Sequence, residues 1–167
     1  AALLSTIPWL QSFTPDTLNE IKNEKARIAV IGTGSRGQYH IHALLPMQHA
    51  EIVALCDIYP PNLEEASKLC PTARKYTDYR KLLESPDIDG VVIATPLNWH
   101  APIVLDALSA GKHAFCEKSM ALTMDQCKAI YDAYQKTNKV LYFCMQRMFD
   151  EKYIKGMQMI HSGLIGD

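Results

Sequence analysis

Short apolar runs rich in β-branched residues alternate along the chain with longer stretches whose apolar positions recur at helical spacing. RIAVIG at 27–32 reads as a buried strand, followed by a glycine-rich turn and a helical stretch from 35 to about 47. EIVALCD (51–57) reads as the second strand, and 62–69 as a helix stopped by Pro71. A weak third strand is expected at 74–77, with a short helix at 79–84. GVVIAT (90–95) is the fourth strand, and a helix over 100–110 is ended by Gly111. HAFCEK (113–118) is the fifth. Residues 123–137 form a long helix opened by Thr123 with Gln126 three positions on, a capping-box pattern. KVLYFCM (139–145) is the sixth strand, and a last helix over 150–161 ends at Gly163.

Near-continuous apolar strands separated by helices mean βαβ units, and hence a parallel sheet covered on both faces. Right-handed crossovers then give an α/β fold with a doubly wound parallel sheet, whose ligands sit at the carboxyl ends of the strands. The positions that matter are therefore 32–37, 57–59, 95–100, 117–119 and 146–147.

Composition changes this picture only by exclusion. The 167 residues, 48% of them hydrophobic, make one domain with a sizeable core. Seventeen Lys and Arg against 18 Asp and Glu give a net charge of -1, which argues against a nucleic-acid partner held by phosphate contacts. No apolar run approaches the ~20 residues of a membrane helix, so no membrane partner is expected. The five cysteines are odd in number, and no pair is spaced C-x-x-C. Cys56, Cys116 and Cys144 lie in apolar runs and read as reduced core thiols, and no metal site is expected. The opening AALLSTIPWLQSF reads either as an extra element or as the remnant of an export segment. Residues 1–15 are accordingly taken as an N-terminal extension, 16–149 as the main domain, and 150–167 as a helix linking to a further domain. A remnant at 1–13 implies an exported, periplasmic protein; otherwise the protein is cytoplasmic.

The first strand end carries Gly32-Thr33-Gly34-Ser35-Arg36-Gly37, a G-x-G-x-x-G pattern between a buried strand and a helix. In that context Gly32 permits the tight turn, Gly34 lets backbone approach a pyrophosphate, and Gly37 lets helix and strand pack closely. The helix N-terminus at Ser35 and Arg36 supplies N–H groups for the phosphates. Arg36 itself reads as a pyrophosphate contact or a solvated cation. Asp57 closes the second strand 20 residues after Gly37, where an acid accepts hydrogen bonds from the adenosine ribose. Its carboxylate would repel a 2′-phosphate, so NAD is expected over NADP. Together these features read as a Rossmann dinucleotide-binding domain. His40 and His42, two apart on a helix, read as structural or solvated.

The fourth strand runs into Thr95-Pro96-Leu97-Asn98-Trp99-His100, the fifth into Glu117-Lys118-Ser119, and a Gly-Leu-Ile-Gly follows near the end. With the glycine turn, this set resembles the N-terminal domain of the glucose–fructose oxidoreductase / inositol dehydrogenase (Gfo/Idh/MocA) family, over roughly residues 26 to 167. The resemblance implies an NAD(P)-dependent oxidoreductase of sugars or polyols, homo-oligomeric when complete, with a second, α+β substrate domain outside these residues. It places Thr95, Pro96, Asn98 and His100 beside the ribose and nicotinamide, and Glu117 near the cofactor. Lys118 falls beside the substrate hydroxyl, His100 is the second candidate catalytic group, and Gln146 and Arg147 border the nicotinamide pocket. Ser119 departs from the family's E-K-P motif. The family's remaining catalytic residues belong to the second domain, so this chain is expected to bind cofactor without completing an active site.

Lys118 makes chemical sense independently of the family. Oxidising an alcohol needs a hydride acceptor and a group that polarises the hydroxyl and takes its proton, which a partly buried lysine can do. Two other readings remain open. Some relatives are NAD-dependent glycosidases that abstract hydride transiently, and the G-S-R-G loop and Trp99-His100 pair lean that way. A non-catalytic nucleotide-binding module is the third.

Overall fold

The computed structural model describes residues 25–145, 150–164 and 166. Six strands form one all-parallel sheet: β1 (Ala26–Ile31), β2 (Ala50–Cys56), β3 (Arg74–Tyr76), β4 (Gly90–Ile93), β5 (His113–Cys116) and β6 (Leu141–Phe143), in the order β3-β2-β1-β4-β5-β6. The connecting helices are α1 (Ser35–Leu44), α2 (Pro60–Leu69), α3 (Tyr79–Leu83), α4 (His100–Ser109) and α5 (Met124–Tyr134), with α6 (Glu151–His161) after the sheet. This is the doubly wound architecture expected from the pattern, and it is the Rossmann strand order.

Side chains alternate across a strand, so each central strand feeds two cores. Ala29, Ile31, Val91 and Ile93 face α3, α4 and α5, packing on Leu82, Ile103, Val104 and Ile130. Val30 and Val92 face the other way, onto Ile41 of α1 and Leu63 and Ala66 of α2. A strand buried on both faces cannot alternate apolar with polar, which is why these runs read as continuous.

Local chemistry sets several element ends away from the expected positions. Helix α1 stops at Leu44 rather than near 47, and α2 starts two residues early because Pro60 and Pro61 suit a first turn whose N–H groups lack intrahelical partners. At α5 the Thr123 hydroxyl accepts the Gln126 N–H at 3.2 Å, while the Gln126 side chain accepts from Leu122 at 3.0 Å, one residue outside the usual box. Strand β6 keeps only three residues, all half-buried, since it is the edge of the sheet. Cys56, Cys70 and Cys116 are buried, whereas Cys144, expected in the core, is only half-buried. Burial pushes the Cys56 and Cys116 thiols up to about 12, so neither is a nucleophile near neutral pH. Among the described residues no group of side chains could hold a metal ion, and no helix is long and apolar enough to cross a membrane. The expectations for residues 1–15, Gln146 and Arg147 lie outside the described residues.

Candidate functional site

The strand order turns back between β1 and β4, and their carboxyl ends open onto a cleft of about 730 Å³. Connections from these two strands run to opposite faces of the sheet, which leaves a crevice at that point. Its size falls within the ~300–1,000 Å³ of small-molecule sites.

The glycine turn forms one wall, and its three glycines are there for different reasons. Gly32 has φ +86°, and a Cβ there would lie 2.7 Å from the Ala94 carbonyl. A Cβ on Gly37 would lie 2.0 Å from the Gly32 oxygen, so helix and turn touch only without a side chain. Gly34 is unlike both: its φ is −65°, and a Cβ would meet nothing closer than Asn62 Nδ2 at 3.4 Å. The fold does not require glycine at 34. Gly34 caps α1 without a side-chain hydrogen bond, and the first turn of α1 holds no acid. Gly34, Ser35 and Arg36 line the cleft, so an uncapped helix N-terminus faces it, the arrangement that binds phosphate through backbone N–H groups.

Asp57 stands in the cleft at the end of β2. Its Oδ2 accepts the Thr33 N–H at 2.7 Å and the Thr33 hydroxyl at 3.2 Å, and its Oδ1 accepts the Tyr59 N–H at 2.9 Å. A carboxylate has about four acceptor positions, so Oδ1 retains one for a ribose hydroxyl while Oδ2 braces the glycine turn. Beyond Asp57 the lining holds large exposed apolar groups beside Asp78 and Arg80: Ile58 is 83% accessible, Tyr59 57% and Trp99 41%. Large apolar side chains exposed inside a concave site suit a flat ring. Tyr79 packs edge-on to Trp99 at 6.4 Å, and its hydroxyl donates to Asp106 Oδ2 at 2.8 Å. Thr95 and Pro96 close the opposite wall, and the Thr95 hydroxyl is buried with no hydrogen-bond partner. A buried hydroxyl left unpaired costs about 1–3 kcal/mol, which a bound polar ligand would recover. The open backbone at Gly34, the uncapped helix, the carboxylate and the orphaned hydroxyl together fit a dinucleotide.

A second cluster lies past β5. Glu117 is only 5% exposed, and its Oε1 accepts from Arg36 Nε at 2.5 Å and from His40 Nε2 at 2.7 Å. Burial alone would raise this carboxyl, but the hydrogen bonds and charge of Arg36 and His40 outweigh it and hold Glu117 below the usual carboxylate range. The Arg36 guanidinium lies 4.5 Å over the Tyr39 ring, with Nη2 3.9 Å from Cys144 Sγ. The Arg36 side chain pairs with Glu117, because a buried carboxylate needs a cation more than the open cleft does, while the residue also lines the cleft. The same pairing turns Oε1 of Glu117 towards α1.

His100 opens α4. The ring is 1% exposed, with Nδ1 2.7 Å from the Ser119 carbonyl oxygen and Nε2 3.0 Å from the Thr95 carbonyl oxygen. Both ring nitrogens face backbone carbonyl oxygens, and a neutral imidazole, with one N–H, donates to one of the two at a time. Asn98 and Lys118 are exposed and lie outside the lining of the cleft. The peptide between Lys118 and Ser119 is cis.

Sequence reasoning missed three participants. The informative spacing is the four residues from Arg36 to His40 on one face of α1, and not the two that separate His40 from His42. Asn62, whose Nδ2 lies 3.5 Å from Asp57 Oδ2, is in the first turn of α2, one turn beyond the acid. Thr33 is fully buried and braces Asp57, a role invisible in a pattern that writes it as x.

These features define a class, an NAD-binding Rossmann domain. Residues 26–144 match the family model described as the oxidoreductase family, NAD-binding Rossmann fold, of the Gfo/Idh/MocA group, and the chain belongs to that family. It is 34% identical over 155 residues to a glycosyl hydrolase family 109 protein of Shewanella pealeana, and 33% identical to an alpha-N-acetylgalactosaminidase of Shewanella oneidensis. Each alignment covers 87% of this chain and 34% of the relative, so the chain spans about a third of the length of the curated relatives it matches. Among solved structures it resembles myo-inositol dehydrogenase from Lactobacillus casei in complex with NAD(H) and myo-inositol, with TM-score 0.77 and 34% identity over 85% of this chain and 43% of that one. It also resembles scyllo-inositol dehydrogenase from Lactobacillus casei with NAD(H) and scyllo-inositol, with TM-score 0.79 and 29% identity over 86% and 43% of the two chains.

Proposed function

We propose that the protein containing this domain oxidises an alcohol of a sugar or polyol, with Lys118 as the group that receives the hydroxyl proton. The observation that carries this reading is the placement of a lysine two residues after β5, in an NAD-binding domain whose solved neighbours include inositol dehydrogenases. The residues assigned to the cofactor divide the work of holding it. The N–H groups of Gly34, Ser35 and Arg36 take the pyrophosphate, Asp57 the adenosine ribose, and Thr95 and Pro96 the second ribose, with Asn98 and Gln146 towards the nicotinamide. Bound there, NAD supplies the hydride acceptor. Lys118 orients the substrate hydroxyl by a hydrogen bond and takes its proton as the carbon–hydrogen bond is broken. The complete protein is a homo-oligomer in this reading.

The test is product analysis on the full-length protein with a panel of inositols and aldoses. Net NADH formation with one of them, abolished by Lys118→Ala, is the expected result. Sugar release from aryl glycosides with no net change in the cofactor would overturn it in favour of a glycosidase, the activity that the names of the Shewanella relatives carry.

A further inference from the structure

Lys118 is exposed, and nothing in its own side chain's surroundings fixes where its backbone sits. Its two chain neighbours do. On one side Glu117 is gripped at Oε1 by Arg36 and His40, both from α1, and its Oε2 accepts the Lys118 N–H at 3.2 Å. On the other side the Ser119 carbonyl oxygen lies 2.7 Å from His100 Nδ1, and the second ring nitrogen faces the carbonyl oxygen of Thr95 at 3.0 Å. The residue before the lysine is thus tied to the helix that begins in the glycine turn. The residue after it is tied to the loop that forms the opposite wall of the cleft.

We propose that His100, and Glu117 with its partners Arg36 and His40, are positioning residues that register Lys118 against the two loops flanking the cofactor. The inference rests on the reading that Lys118 acts on the substrate hydroxyl. Its physical basis is the length of the lysine side chain: four methylenes amplify any backbone rotation, and a displacement of about 1 Å at a reacting group can cost on the order of 100-fold in rate. A buried imidazole seated between two carbonyls of different loops, and a buried carboxylate bonded to a third segment, remove that freedom before substrate arrives. Neither group needs to touch substrate or cofactor to do so.

The test uses Lys118→Ala, His100→Leu, His100→Gln and Glu117→Gln in the full-length protein, with NAD affinity, KM and kcat measured for each. Hydrogen exchange at 117–120 is followed on this chain. Expected is a drop of 10- to 100-fold in kcat for His100→Leu. NAD affinity and KM should stay within about threefold, and exchange at 117–120 should quicken. His100→Gln, whose amide can still donate to one carbonyl, recovers most of the rate. Glu117→Gln, which keeps the shape and loses the charge, falls between them and covers the case in which His100→Leu does not fold. Wild-type kcat in His100→Leu and Glu117→Gln alongside a dead Lys118→Ala would overturn the positioning role and leave the proposed function standing. Full turnover in Lys118→Ala would instead remove the proposed function, and this inference with it.

Discussion

Two glycines three residues apart give opposite predictions. Gly37→Ala puts a methyl 2.0 Å from the Gly32 carbonyl oxygen, where backbone must move, and should cost about 3 kcal/mol or prevent folding. Gly34→Ala has an ordinary φ and nothing nearer than 3.4 Å, so its stability should change by less than about 0.5 kcal/mol. Its affinity for NAD should nevertheless fall about tenfold or more, because the methyl occupies the space left for the pyrophosphate. Thermal unfolding and cofactor titration of both variants check this, and a Gly34→Ala protein with unchanged affinity would contradict the phosphate-loop reading. At this scale Gly32 and Gly37 were legible because motif spacing reports backbone geometry. The partners of Arg36, Glu117 and His100 were not legible, because spacing says nothing of which buried group needs a partner.

Elements were the most legible scale, since a doubly covered parallel sheet writes itself as uninterrupted apolar runs such as GVVI at Gly90–Ile93. Their ends were less so, because Pro60 and the Gln126 side chain act through backbone N–H groups that hydrophobic patterning does not record. One junction has a pH dependence of its own. His113 Nδ1 accepts the Val140 N–H at 2.9 Å where β5 meets the approach to β6, which requires an unprotonated nitrogen. Burial, with Lys139 nearby and only partly offset by Asp89, holds His113 below its ordinary 6.5. The folded state therefore binds fewer protons than the unfolded state as pH falls through about 6.5, and stability is lost in that direction. Melting temperature should drop between pH 7.5 and 5.5, and His113→Asn should flatten the drop. An equal drop in the variant would show that another group is responsible.

At the scale of the molecule, the order β3-β2-β1-β4-β5-β6 brings Gly34, Asp57 and Thr95 from three separate loops to one cleft. The same order puts Lys118 one strand further along, after β5 and outside the lining of the cleft. Helix α6, beyond the sheet, has no buried residue and exposes Tyr153, Ile154, Met157 and Ile160. The claim on which everything else depends is that the cleft holds NAD through the α1 N-terminus and Asp57. Calorimetric titration of this chain with NAD and, separately, NADP tests it most directly, after any cofactor already bound has been removed. NAD should bind at least tenfold more tightly than NADP, and Asp57→Asn should erase most of that difference. Equal affinities in the unaltered chain, or a preference for NADP, would contradict the role assigned to Asp57. No binding of either by a folded, empty domain would contradict the site itself.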